Sequence, residues 1–351
     1  MLCPWHESGE VNMKTVVIFG GTGFIGTHLS QFLLGDAAIQ EIVLADLNPP
    51  CGEKYAATLQ DALVSGRARY LNCDVRQPLT LGTLPHADVI FNLAAVHREP
   101  GHLAAEYYET NLLGAEHVCT YAAAIGCARL VFTSSISSYG SAESRKDEAS
   151  IPVPDTPYGG SKLVAEKIHM AWQAAGADRQ LLIVRPGVVF GAGEGGNVTR
   201  LIRSLIRGYF LYMGNRTTRK AGGYVKELCR VISFGLEHQD RTGESLALIN
   251  FSMDPPPAIE DFVKAINNTA NVRRRSWSIS RPLLLGASYP IDAMAKLFGI
   301  QQPISPIRVR KLCRSTNIDA KRLREIGYVY HYSLEQAFED WKRDKPEDFG
   351  P

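Results

Sequence analysis

The chain has 351 residues, 45% hydrophobic and 21% charged, an ordinary globular composition with length enough for one large core or a nucleotide-binding unit plus a second lobe. Its 38 basic and 36 acidic side chains leave a formal charge of only +2, which argues against nucleic acid or an anionic membrane as a bulk partner. Seven scattered cysteines without a Cys-x-x-Cys pair argue against a disulfide framework or a zinc cluster and predict a cytoplasmic setting, and no run of about 18 apolar residues is present to span a bilayer.

Residues 1–12 lack the basic start and apolar centre of a signal peptide and read as a disordered extension, with Met13 the candidate natural start. From there, short apolar runs alternate with amphipathic segments. Strands are predicted at Thr15–Phe19, Glu41–Ala45, Asp88–Leu93, Arg129–Thr133 and Leu181–Val184, with Arg69–Leu71 a weaker one. Helices are predicted at Thr27–Leu34, Glu106–Ala124 and Lys162–Ala175. Continuous β-branched strands alternating with helices predict a doubly wound α/β fold with a parallel sheet covered on both faces. Residues 13–192 read as this unit, and 193–351 as a smaller mixed lobe with some segments returning to the sheet. In that second part, helices are expected at Val198–Arg207, near Tyr224–Leu236 and at Ile259–Ala270, with a strand near Leu246–Phe251.

The first strand runs into Gly20-Gly21-Thr22-Gly23-Phe24-Ile25-Gly26 and then a helix. Glycines at 20, 23 and 26 permit a tight turn, close approach of backbone N–H groups to a pyrophosphate, and close packing of helix on strand. Phe24 and Ile25 belong to the same candidate cofactor site. Asp46, ending the next strand, is placed to accept both ribose hydroxyls and would repel a 2′-phosphate, so NAD is expected over NADP. Asp74 and Val75, after the third strand, are candidates for the adenine side, with a turn or cap as the plainer reading of Asp74.

Tyr158 is the only tyrosine with a lysine, Lys162, four positions on. That spacing puts both on one face of a helix, whose start Asp155 and Pro157 support; the ammonium then stabilises a tyrosinate and brings the phenol toward general acid/base work. Alone the pair is weak. A second element, the loop Ser134-Ser135-Ile136-Ser137-Ser138-Tyr139-Gly140 after the strand Arg129–Thr133, offers hydroxyls at a strand's carboxyl end to hold a substrate oxygen.

These features occur in one order with Asn92-Leu93-Ala94-Ala95, Pro157-Tyr158-Gly159-Gly160-Ser161-Lys162 and Arg185-Pro186…Phe190-Gly191. Together they resemble the NAD-dependent epimerase/dehydratase family, the extended short-chain dehydrogenases acting on nucleotide sugars, over about residues 14–192. The resemblance implies a Rossmann fold, bound NAD, a nucleotide-sugar substrate and a homodimer. It implies catalytic roles for Ser135, Tyr158 and Lys162, cofactor contacts from Ala94 and Ala95, and a structural role for Asn111. Ile136 and Ser137 stand where related dehydratases carry an acidic pair, so epimerisation at C4 is the expected reaction. A dehydrogenase or 4-keto-reductase using the same residues, or a non-catalytic NAD sensor, are the alternatives. For the substrate, Asn197 resembles the family asparagine that touches the diphosphate, a cap for the helix at Val198 being its other reading. Arg219 or Lys220 is placed for a phosphate, although the run Arg219–Val225 departs from the family pattern. His97 and Arg98 face the same cleft by topology, and Ser137 completes the substrate-facing set. Arg273–Arg275, Arg308 and Arg310 read as solvated charges.

Overall fold

Within the central strands, neighbouring residues point into two different interiors. Val16 and Ile18 of β1 (Thr15–Phe19) enter one apolar cluster, while Val17 and Phe19 enter the other. The same division separates Ile42 and Leu44 from Val43 and Ala45 in β2 (Glu41–Asp46). A strand buried on both faces needs no polar alternation, which is why these segments read as continuous apolar runs. The structure, a computed structural model, describes residues 13–50, 57–80, 82, 84–98, 101–272, 276–297 and 314–350. The N-terminal extension and the arginines at 273–275, 308 and 310 lie outside the described residues.

In chain order, α1 (Phe24–Leu34) follows β1, and α2 (Ala57–Ser65), β3 (Ala68–Asn72) and β4 (Val89–Asn92) follow β2. Next come α3 (Ala104–Ala124), β5 (Arg129–Thr133), β6 (Ala142–Lys146), α4 (Pro157–Ala174) and β7 (Gln180–Pro186). The rest comprises β8 (Val188–Phe190), α5 (Asn197–Arg207), β9 (Leu211–Met213), β10 (Gly222–Tyr224), α6 (Val225–Thr242), β11 (Leu246–Phe251) and α7 (Ile259–Ala270). It ends with β12 (Trp277–Ile279), α8 (Arg281–Leu297), β13 (Thr316–Ile318), α9 (Lys321–Glu325) and α10 (Leu334–Asp344).

Seven strands form one parallel sheet in the order β11-β7-β5-β4-β1-β2-β3. The chain winds outward from β1 in one direction through β2 and β3, then returns and winds the other way from β4. The crevice outside the carboxyl ends of β1 and β4 is thus the switch point where such sheets bind ligands. Leu29 and Leu33 of α1 and Leu228, Val231 and Ile232 of α6 cover one face. Ala115, Val118 and Tyr121 of α3 and Ala165 and Trp172 of α4 cover the other. β11 comes from beyond residue 192 yet pairs with β7 in register, Leu246 opposite Leu181 through Phe251 opposite Pro186.

A third apolar cluster is aromatic: Phe190, Tyr224, Phe262, Phe338 and Trp341, with Phe190 and Phe338 stacked at 5.3 Å between centroids. Three two-stranded ribbons, β8–β10, β9–β12 and β6–β13, decorate this part of the molecule. The expected strands and helices are present, α1 and α3 beginning earlier than the sequence suggests and α4 beginning at Pro157, where a helix start was expected. For α4 the reason is the cap: Thr156 accepts from Gly159 N at 3.1 Å, and Pro157 occupies the first turn. Asp155 is not the cap; its carboxylate accepts from Ser141 Oγ at 2.6 Å. α2 and the three-residue ribbon strands were not expected.

Candidate active site

The glycine-rich turn closes because side chains are missing where backbone must meet backbone. A Cβ on Gly26 would lie 2.3 Å from the Gly20 carbonyl oxygen, and one on Gly20 would lie 2.8 Å from Ala94 N, across the switch point. Gly20 also has φ +78°, a left-handed conformation that suits glycine. Gly23 precedes α1 as its N-cap without a side-chain hydrogen bond, and the first turn, which includes Phe24, Ile25 and Gly26, carries no acidic residue. Uncapped N–H groups and the positive end of a helix dipole suit a diphosphate.

Asp46 is anchored beside that turn. Its carboxylate accepts from Thr22 N and from Asn48 N, both at 3.2 Å. Thr22 adds a hydroxyl bond to Asn48 O at 2.9 Å, fixing the β2 end against the loop. This donor set fits a dinucleotide with an unphosphorylated ribose. On the adenine side the residues divide. The Asp74 carboxylate is held by Arg76 through Nε and Nη2 and by the Arg76 N–H, an Asx-type turn. The Arg76 guanidinium holds its carboxyl below the usual range. Val75 is buried, its side chain packing against Gly114 of α3, so it faces the core and offers a ligand only its backbone.

The first turn of α4, which carries Tyr158, packs closely on the serine loop. A Cβ on Gly159 would lie 2.3 Å from the Ser137 carbonyl oxygen, so only glycine lets the first turn of α4 sit there. Lys162 is fully buried, with its ammonium 4.4 Å from the centroid of the Phe132 ring near the end of β5. Burial brings its pKa down to about 7, and Glu166, one turn on, opposes that shift. Ser135, also buried, accepts from Ser137 N at 3.1 Å, which fixes the oxygen and leaves its proton to donate. The half-buried Tyr158 ring packs at 6.1 Å from Tyr107 of α3.

A polar scaffold lies beneath. Glu166 accepts two bonds from Arg185, 2.8 Å from Nε and 2.6 Å from Nη2, and a further short bond from Ser134 Oγ. Arg185 lies over Tyr139, whose hydroxyl donates to Asn250 Oδ1 at 2.9 Å. His169 stacks on Phe132 at 4.1 Å, opposes Asn92 Nδ2 at 3.2 Å, and is driven down to about 3 by burial, so it is neutral. Asn111 Oδ1 accepts from Val96 N at 3.0 Å, while its Nδ2 donates to Ser161 Oγ at 2.8 Å; Ser161 Oγ in turn donates to Tyr158 O at 2.9 Å.

Ala94 and Ala95 follow β4 at the switch point, Ala94 against Gly20. Desolvation by the surrounding protein lowers the His97 pKa, the nearby Ala95 backbone opposes the shift, and Arg98 and Lys162 lower it further. The other substrate-side residues lie less favourably. Asn197 is the first residue of α5, the cap being Gly196, and its Oδ1 accepts from Arg200 at 2.8 Å. The cap reading of Asn197 therefore fails: its backbone already has helical geometry. Arg219 donates to Pro256 O at 2.6 Å and Lys220 to Arg314 O at 2.5 Å, so both are committed to loop carbonyls. Ser137 contributes mainly backbone, to Ser135, Gly140 and Gly159. Sequence reasoning missed Thr22, the close seat of Gly159 and the Glu166–Arg185 pair.

Fold and site together define an NAD-dependent enzyme of the extended short-chain dehydrogenase type. The chain belongs to the NAD dependent epimerase/dehydratase family, whose sequence profile matches residues 16–248. It is 28% identical over 326 residues to the N-acetyl-alpha-D-glucosaminyl-diphospho-ditrans,octacis-undecaprenol 4-epimerase of Escherichia coli O157:H7, covering 92% of this chain and 93% of that one. Its fold is similar to that of the UDP-N-acetylglucosamine 4-epimerase of Methanobrevibacter ruminantium M1, with TM-score 0.73, 18% identity and coverage of 95% and 99%. The UDP-glucuronic acid 4-epimerase of Bacillus cereus, solved with NAD, gives TM-score 0.72, 20% identity and coverage of 94% and 99%. Among the described residues no helix is long and apolar enough to cross a membrane.

Proposed function

We propose that the protein interconverts C4 epimers of a sugar carried on a diphosphate, a nucleoside diphosphate being the first carrier to test. The observation that supports this reading is the close packing of Gly159 on the Ser137 carbonyl, which brings the helix bearing Tyr158 and Lys162 against the loop bearing Ser135.

NAD, when bound, supplies a reversible hydride acceptor. Tyr158 takes the proton of the C4 hydroxyl as oxidation proceeds and returns it to the oxygen afterwards. Lys162 lies one turn along the same helix face and stabilises the phenolate. Ser135, its oxygen fixed by Ser137 N, donates to the sugar oxygen and holds it through the ketone stage. No acid stands at Ile136 or Ser137 to drive elimination of water, so return of the hydride to the opposite face completes the cycle. In this reading Ala94 and Ala95 line the cofactor, His97 meets the sugar and Asn197 meets the diphosphate, whereas Arg219 is held by Pro256 O. The protein acts as a homodimer.

A second carrier, polyprenyl diphosphate, is favoured by two observations. The undecaprenol-linked relative matches nearly the whole chain, and Arg219 and Lys220 are tied to backbone carbonyls instead of lying open to a nucleotide. Assays with paired UDP-sugars and with polyprenyl-diphosphate sugars separate the carriers. Isomer formation without accumulation of reduced nicotinamide is the expected result, and steady accumulation would instead mean a dehydrogenase. Tyr158→Phe is expected to lower kcat by about 10²–10⁴-fold with NAD retained; turnover surviving in this variant would overturn the catalytic assignment.

A further inference from the structure

The turn after β2 is gripped from two sides. On the first stands the glycine turn: Gly20 N donates to Ala45 O at 2.8 Å, and Thr22 Oγ1 donates to Asn48 O at 2.9 Å. The Asp46 carboxylate accepts one backbone N–H on each oxygen, from Thr22 and from Asn48. Each oxygen keeps room for one more donor, which is what two ribose hydroxyls require.

On the second side stands β3. In the parallel register Tyr70 lies opposite Leu44 and Asn72 opposite Asp46, so both side chains leave one face of the sheet beside the turn. The Tyr70 hydroxyl shares its proton between Asp46 O at 3.2 Å and Leu47 O at 3.4 Å. Asn72 Nδ2 donates to Leu47 O and to the Tyr70 hydroxyl, both at 3.0 Å. Cys73 N adds a bond to Asp46 O at 3.0 Å.

These bonds hold a segment that burial does not. Leu47 is 48% exposed, and Asn48 and Pro49 are also open to water. A carboxylate on a loose, solvated turn can swing away from a 2′-phosphate, and water and salt then screen what repulsion is left. Held in place, it meets the phosphate at contact distance, and it is already aimed at the two hydroxyls before the cofactor arrives.

We propose that Tyr70 and Asn72 are positioning residues for cofactor choice: by clamping the Asp46–Leu47 backbone they hold the carboxylate at the ribose and set the preference for NAD over NADP. This rests on the reading that Asp46 meets the ribose, and is independent of the sugar and of its carrier.

The full chain, as purified, is dialysed against equimolar NAD and NADP until its bound nucleotide no longer changes. The nucleotide is then released by heat and counted. Tyr70→Phe with Asn72→Ala is expected to lower the bound NAD:NADP ratio about tenfold, and Tyr70→Phe alone about threefold. Asp46→Ala is expected to lower it at least as far as the double variant. Melting in an excess of each cofactor reads the same preference without exchange: NAD raises the parent's Tm more than NADP does, and the double variant should narrow that gap. An unchanged ratio and gap in the double variant, including equal weakening of both cofactors, overturns the clamp if Asp46→Ala does lower the ratio. If Asp46→Ala leaves the ratio unchanged, the ribose reading falls and the proposal falls with it.

Discussion

The two interiors of this protein are built from different materials. Around α4 and the end of β7 the core holds Lys162, Glu166, Arg185 and His169, all buried, each held by a partner or a ring. The core of the other part is aromatic, with Phe190, Phe262, Phe338 and Trp341 stacked or edge-on, and its buried carboxylate Asp340 is held by the Tyr224 hydroxyl and by Lys226. Ionisable groups removed from water must be satisfied in one arrangement or not at all, so the first core specifies geometry at a cost in stability. An aromatic core gives apolar burial that does not depend on pH.

Lys162→Met should break this contrast most visibly. Turnover is expected to fall by at least about 10²-fold, since the phenolate loses its cation. The folded protein is nonetheless expected to gain about 3–5 kcal/mol at pH 7 by denaturant unfolding. The sign follows from the lowered pKa: between about 7 and 10.5 the unfolded chain binds the proton that the folded one refuses, so stability climbs with pH across that window. In the variant that slope should vanish.

Glu166→Leu should cost about 3–5 kcal/mol, because it strands the Arg185 guanidinium in the interior; adding Arg185→Met should recover most of it, read as denaturant midpoints. Trp341→Ala should cost a similar amount, about 3–5 kcal/mol, by cavity formation and loss of the bond to Asp348. Its cost should be the same at pH 5.5 and pH 7, which sharpens the distinction between the two cores. The smallest effect belongs to His169. Its folded pKa of about 3 lies below the ordinary 6.5, so stability falls as pH drops below 6.5, by at most about 1.4 kcal/mol per pH unit. His169→Gln should flatten that acid limb in urea titrations at pH 7 and pH 5.5.

Much of the sheet was legible because a strand buried on both faces announces itself as an unbroken apolar run, as in Thr15–Phe19 and Arg129–Thr133. Helix starts were less so: α1 begins inside the glycine turn, residues that read locally as loop, although Pro157 did mark the start of α4. Three-residue strands such as Leu211–Met213 are too short to show a period. The glycine turn, Asp46 and the Tyr158–Lys162 spacing were visible as local patterns. The pairing of Glu166 with Arg185, and the seat of Gly159 on Ser137, join distant elements through tertiary contact and leave no local signature. Composition also concealed something: a net charge of +2 averages away the three arginines aligned on α5.

Asn111 has a mechanical consequence. One amide grips the strand-end loop at Val96 with its oxygen and the catalytic helix at Ser161 with its nitrogen. The loop after β4 and the helix bearing Tyr158 are therefore tied through one side chain, so displacing one without the other breaks an amide hydrogen bond.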